Sequence, residues 1–193
     1  MTSMRRDHLV DTALKLFSRY GFHATGIDRI LSESGVAKMT LYKHFKSKDE
    51  LILAALRRHD ELHRRWLTQF IERHAMTPRE RMLALFSALG DWFKSGDFVG
   101  CCFINATAEY ADMESPIHAA AVEHKRMIRA YVLEQAEAAG AKHADELTDQ
   151  LMLLMEGAIV AAQINGNDTP ARHAKAAAEV LIGCALVTGS IAA

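Results

Sequence analysis

Each of the three prolines follows a hydroxyl residue: Thr77-Pro78, Ser115-Pro116 and Thr169-Pro170. A hydroxyl oxygen can accept from a free N–H in the first turn of a helix. Proline at the first helical position gives up an N–H that would have no partner there. The pairing therefore predicts three helix starts. Glu80 stands three residues after Thr77 and Glu50 three after Ser47, the spacing of a reciprocal capping box, so four starts are marked. Alternating β-branched residues are nearly absent, and Ala, Leu, Glu, Arg and Met dominate. The chain is expected to be all-α, with about nine helices.

Apolar periodicity and glycine stops place them. Helix 1 is expected at about residues 3–20, with a stripe of Leu9, Val10, Ala13, Leu16, Phe17 and Tyr20 ended by Gly21. Two short helices follow at about 27–34 and 37–44, then a long one at about 48–74, roughly 40 Å by helical rise. The others are expected at about 78–94, 101–111, 116–139, 144–164 and 170–189. This suggests a head of residues 1–47 and a helical body of 48–193, with helix 4 as the link.

Bulk properties narrow the function. Half of the 193 residues are hydrophobic and charges of both signs are frequent, which suits a packed core. No run of about 18 apolar residues is present and the N-terminus does not resemble a secretion signal, so no membrane association and a cytoplasmic location are the default expectations. Cys101, Cys102 and Cys184 are odd in number and badly spaced for zinc. Residues 1–50 carry nine Lys/Arg against six Asp/Glu, and the remainder fourteen against eighteen. The modest basic excess lies at the N-terminal end, as phosphate binding requires.

That end holds the most specific pattern. Residues 25–50 read as a short helix, a turn at Gly35 and a second short helix with almost no spare residues. Ile27, Ile30 and Leu31 form the inward face of the first, and Val36, Leu41 and Phe45 anchor the second. Lys38, Met39, Thr40, Lys43 and His44 are left facing outward. Lysine can reach guanine O6/N7 or a phosphate, and Met39 and Thr40 can touch a thymine methyl. Thr25 and Tyr42 suit phosphate hydrogen bonds, and Lys48 lies in the first turn of helix 4 beside the same strand. This is the layout of a helix-turn-helix; a small helical subdomain with a solvated basic face is the plainer alternative.

The segment Ala13-Leu14…Phe17…Gly21…Thr25…Ile30…Gly35-Val36…Thr40-Leu-Tyr42-Lys-His-Phe45-Lys-Ser-Lys48-Asp-Glu-Leu51 resembles the N-terminal domain of the TetR (tetracycline repressor) family over roughly residues 8–55. The resemblance implies a homodimeric, ligand-responsive transcriptional regulator, usually a repressor, that binds a pseudo-palindromic duplex. It implies an all-helical C-terminal domain for ligand binding and dimerisation. Thr25, Tyr42 and Lys48 match the family's backbone-contacting positions, and residues 38–44 its recognition helix. Two departures stand out: Ala37 replaces a capping Ser or Thr, and Met39 replaces a smaller residue.

Beyond residue 55 there is no P-loop, dinucleotide fingerprint, metalloprotease motif or nucleophile elbow, so an enzyme is not expected and no cofactor is called for. Trp92, Phe93, Met127, Tyr131 and Met155 can line an effector cavity, or simply fill a core. The stretch Gly100-Cys-Cys-Phe-Ile-Asn-Ala-Thr-Ala-Glu-Tyr110 is similar to a pattern of one family branch. In it Cys101, Cys102, Asn105 and Glu109 are candidate ligand contacts; Asn105 and Glu109 can equally tie helices together. Cys101 and Cys102 can sense electrophiles or oxidants if one is exposed with a lowered pKa; buried, inert thiols are the favoured alternative. Metal binding by His118, His124 or His143 lacks a convincing ligand set. Apolar seams on helices 8 and 9 include Leu151, Leu154, Ala158, Ala161, Ala177 and Leu181, which the resemblance assigns to an intersubunit four-helix bundle. The favoured expectation is a repressor released from its operator by a small-molecule effector. An activator, and a ligand-independent architectural or cell-division factor on the same scaffold, are the alternatives.

Overall fold

The structure is a computed structural model and describes residues 2–186. Among them are nine α-helices: α1 (Thr2–Tyr20), α2 (Ile27–Ser34), α3 (Lys38–His44), α4 (Lys48–His74), α5 (Pro78–Lys94), α6 (Cys102–Glu109), α7 (Pro116–Ala138), α8 (Ala144–Asn165) and α9 (Thr169–Leu186). The expected all-α class and the helix order hold; residues 187–189 of the expected last helix lie outside the described residues.

The caps show why boundaries fell where local chemistry put them. Thr77 Oγ1 accepts from Glu80 N while the Glu80 carboxylate accepts from Thr77 N, a complete capping box. Ser47 Oγ accepts from Glu50 N, but the Glu50 carboxylate reaches one residue further back, to Lys46 N at 2.7 Å. At the start of α9 the expectation is off by one. Thr169 is already helical, and Asn167 Oδ1 takes its N–H at 3.0 Å. An asparagine two residues upstream competes well for that amide, since a side-chain amide oxygen caps at least as well as a hydroxyl.

Packing divides the described residues into two compact units, 2–64 with 101–125, and 65–100 with 126–186. In the first, α1 packs on α2 and α3. Its core includes Leu9, Phe17, Phe22, Ile30, Leu41 and Leu51, all essentially without exposure. In the second, α8 and α9 pack together and α5 lies against both. By length and composition α8 could cross a bilayer, but Leu147, Leu151, Met155, Ala158 and Ala162 are buried among its neighbours, as in a core helix.

Candidate nucleic-acid interface

The candidate reading surface is built on the turn between α2 and α3. Gly35 ends α2 at φ +64°, a left-handed conformation that a side chain resists, and its N–H returns to Leu31 O. Ser34 Oγ accepts from Val36 N at 3.3 Å, and His8 Nε2 on α1 donates to the Ser34 carbonyl at 3.1 Å. The turn is thereby braced by α1. Leu41 and Phe45 are buried beneath α3, while Val36 and the flanking Ile27 and Leu31 are half-buried.

The opposite side of α3 is open. Lys38, Met39, Tyr42 and Lys43 are exposed, Met39 to 84% and Tyr42 to 50%. Their spacing of one, four and five residues puts them on one face. Lys38 Nζ lies 3.5 Å from Asp28 Oδ1, both side chains well solvated. Such a pair contributes about 0–1 kcal/mol and yields readily to a phosphate or base. Ala37 occupies the N-cap with no side-chain hydrogen bond, as its methyl dictates. Thr40 is half-buried. His44, expected in the outward row, instead turns toward a cleft shared with Arg6, Val10 and Arg58, and its Nε2 is buried without a hydrogen-bond partner.

Thr25 also departs from expectation. It is fully buried, and its hydroxyl donates to Gly21 O at 2.7 Å and lies 3.3 Å from Leu16 O. The end of α1 leaves carbonyls without helical partners, and Thr25 satisfies them; its hydroxyl is not offered to a phosphate. Lys48 Nζ donates to His23 O at 3.1 Å and retains further N–H groups for an anion.

Sequence reasoning missed what holds this head. Glu109, the last residue of α6, accepts from two successive amides of the α1–α2 turn: Phe22 N to Oε1 at 2.9 Å and His23 N to Oε2 at 2.6 Å. His23 Nε2 donates back to Glu109 O at 3.0 Å, and its ring stacks on Tyr110 at 4.7 Å. Gly21 has φ +86°, and a Cβ there would lie 2.9 Å from Glu109 Oε1. Glu109, entered above as a candidate ligand contact, is therefore a clamp on the head. Nothing in the sequence links residues 86 positions apart; the glycine at 21 was the sole local sign.

The other candidate effector residues divide between the two units. Cys101 and Cys102 are buried, and burial pushes the Cys102 thiol well above its ordinary value, the reverse of what a reactive thiolate needs. Asn105 is half-buried. In the second unit Phe93 and Met155 are buried and Trp92, Met127 and Tyr131 half-buried; Trp92, Phe93 and Phe98 form a ring cluster with centroids 4.8–5.9 Å apart. His118 bonds Tyr110 O, His124 bonds Asp60, and His143 occupies the N-cap of α8.

The expected seam residues divide between buried and half-buried positions. Leu151 and Ala158 are buried within their own unit, while Leu154, Ala161, Ala177 and Leu181 are half-buried. The exposed apolar row on α8 is Leu153, Gly157, Val160 and Ile164, and on α9 Ala176, Val180 and Cys184. Because α8 is apolar on both sides, periodicity alone does not choose the outward face.

Comparison with known proteins gives a consistent picture. Residues 9–55 match the family described as bacterial regulatory proteins, tetR family, and residues 78–178 match the tetracyclin repressor-like C-terminal domain. The fold superposes on a crystal structure of a TetR-family transcriptional regulator from Streptomyces coelicolor with a TM-score of 0.89 and 30% identity, covering 96% of this chain and 97% of the other. The HTH-type transcriptional repressor NemR of Escherichia coli is 27% identical over 133 residues, 68% of this chain and 67% of that protein. The crystal structure of its reduced form aligns with a TM-score of 0.82 at 25% identity, over 91% of this chain and 95% of that one. The HTH-type transcriptional activator FasR of Mycolicibacterium smegmatis is 49% identical over 55 residues, 28% of this chain and 25% of that protein.

Proposed function

This chain belongs to the TetR family of bacterial transcriptional regulators, and on that premise we propose that it is a homodimeric repressor that binds a pseudo-palindromic operator and is released by a small-molecule effector. The observation that carries the DNA reading is the outward row of Lys38, Met39, Tyr42 and Lys43 on a helix whose other side is fixed by Leu41 and Phe45. Such a helix can enter a major groove without rearranging its supports. Lys38 and Met39 would read bases, while Tyr42, Lys48 and the unpaired turn at the start of α3 would hold the sugar–phosphate strand.

Selection of a bound duplex from randomised DNA, followed by fluorescence anisotropy, tests this. Affinity should fall steeply with salt as counterions are displaced. Lys48→Ala and Tyr42→Phe should weaken binding to every duplex, whereas Lys38→Ala should relax preference at particular base pairs by about 1–3 kcal/mol. Recovery of random sequence, with the three variants indistinguishable from the parent, would remove the proposal.

Dimerisation is supported by the exposed apolar row of α8 and its neighbour on α9, which a second copy would cover. Two-fold symmetry repeats any change at this face. Leu153→Asp, costing at least about 2 kcal/mol per buried copy, should weaken the dimer roughly a thousandfold. Sedimentation at micromolar concentration reads this directly. A parent protein that sediments as a monomer would exclude the dimer.

A further inference from the structure

We propose that the groove between α4, α6 and the first turns of α7 binds a small neutral aromatic molecule that donates a hydroxyl hydrogen to His124 Nε2, a phenol in the simplest case. The groove has a volume of about 390 Å3 and is lined by Leu56, Phe103, Ala119, Ala120, Asp60 and His124 among others, all within the first unit. This is room for a two-ring molecule between an apolar side of Leu56, Phe103, Pro116, Ala119 and Ala120 and a polar side of Arg57, Asp60, Glu123 and His124, with His124 and Asp60 as its hydrogen-bonding corner.

The polar corner has a defined hydrogen-bond sense. Arg64 grips the Asp60 carboxylate, Nε lying 3.0 Å from both oxygens and Nη2 2.7 Å from Oδ2. The Asp60 pKa is lowered despite burial, through its bonds to Arg64 and His124. An ionised carboxylate only accepts, so the hydrogen in the 2.8 Å contact between His124 Nδ1 and Asp60 Oδ1 sits on the imidazole. Burial holds His124 below its ordinary pKa, against the pull of Asp60. A neutral ring with its hydrogen on Nδ1 must present Nε2 as an acceptor, and no hydrogen bond to Nε2 occurs among the described residues. The ring cannot swing away easily, because it lies flat on Phe103 with centroids 3.7 Å apart and planes 8° apart.

The surroundings select a neutral donor. Asp60 and Glu123 at the groove balance Arg57 there and Arg64 behind Asp60, so the lining carries no net charge to offset the desolvation of an ionic ligand. An apolar ring carrying one hydroxyl satisfies Nε2 and leaves no charge unpaired.

The site is also mechanically placed. Phe103 is the second residue of α6 and Glu109 the last, about 9 Å apart by helical rise. A ring seated between Phe103 and Ala119–Ala120 bears directly on α6, and any shift it imposes along that helix reaches the Glu109 bonds to the amides of Phe22 and His23. This step rests on the repressor reading above; the binding step does not.

Calorimetry of the full chain with 2-naphthol, 2-methylnaphthalene and 2-naphthoate tests the binding step. Naphthol should bind about tenfold more tightly than its methyl isostere, the effect of one neutral hydrogen bond, and naphthoate most weakly. His124→Phe, which keeps the stack, should abolish the preference for naphthol. The 15N shift of His124 Nε2 in the parent, that of an unprotonated imidazole nitrogen, should move on addition of naphthol and not of methylnaphthalene. Equal affinity for naphthol and methylnaphthalene, no binding at millimolar concentration, or an unmoved nitrogen would overturn the site. Naphthol binding that leaves operator affinity unchanged would keep the site and overturn its coupling to DNA.

Discussion

Lowering the pH from 7 to 5 is expected to remove about 4 kcal/mol of folding stability, through two histidines in the first unit. His59 and His63 lie one helical turn apart on α4, their rings 5.9 Å from each other, near His124 and Phe103. Burial, then the neighbouring His124, with Asp60 opposing, lowers His59 from 6.5 to about 4. Burial, then His59, His124 and Lys125, again with Asp60 opposing, lowers His63 to about 3. Between these values and 6.5 the unfolded chain binds protons that the folded chain refuses. Stability is therefore complete above about pH 6.5 and drains as the pH falls toward the folded values. At pH 5 each ring contributes a loss of about 2 kcal/mol. Against a typical total of roughly 5–15 kcal/mol, that is a large share. Asp60, held below the ordinary carboxylate range, stays ionised through this window and adds nothing to the slope. Urea denaturation at the two pH values measures the effect, and His63→Leu should remove about 2 kcal/mol of it; His124, which burial also holds below its ordinary value, acts in the same direction. Equal midpoints at pH 5 and 7 would show that these imidazoles remain hydrated in the folded protein.

Removing the Glu109 carboxylate should loosen the DNA-reading head while leaving the second unit intact. In Glu109→Ala the amides of Phe22 and His23 lose their acceptor. Phe22 N is partly buried, and an unsatisfied buried donor costs about 1–3 kcal/mol. The same turn presents the His23 carbonyl to Lys48 and the Gly21 carbonyl to Thr25, so its displacement reaches both. Operator affinity should fall about tenfold or more. Glu109→Gln should fall between, since one oxygen still accepts and the new amide opposes the second N–H. Gly21→Ala should have a related effect by a different route: a left-handed backbone costs an L-residue about 1–2 kcal/mol, and the new methyl crowds Glu109 Oε1. Hydrogen exchange separates this from general instability. The Phe22 and His23 amides should exchange faster in Glu109→Ala while core amides of α5 and α9 do not change. Unaltered exchange at those two amides would mean that solvent, not the clamp, satisfies them.

The features legible in the sequence share one property: they depend on neighbours a few residues away. Thr77 and Glu80 cap α5 because three residues separate them, and Gly35 ends α2 because its own backbone needs a positive φ. The two sides of α3 were readable for the same reason, Leu41 and Phe45 lying one turn apart with the polar row between. Misreadings came where chemistry was right and the partner unknown. Thr25 is a hydroxyl suited to phosphate, but the end of α1 claims it. Glu109 is a polar group suited to a ligand, but the α1–α2 turn claims it. His44 has the spacing of an outward residue, yet turns into a cleft.

The sequence by itself determined the all-α class, the order of the helices among the described residues and the polar row on α3, because capping, glycine geometry and apolar periodicity act within a turn or two. Tertiary structure alone decided which side of α8 faces outward, which imidazoles sit together beside Asp60, and that α6 holds the head through Glu109. Each of these joins residues far apart in the chain, and an amphipathic pattern records that a face is buried without recording what buries it.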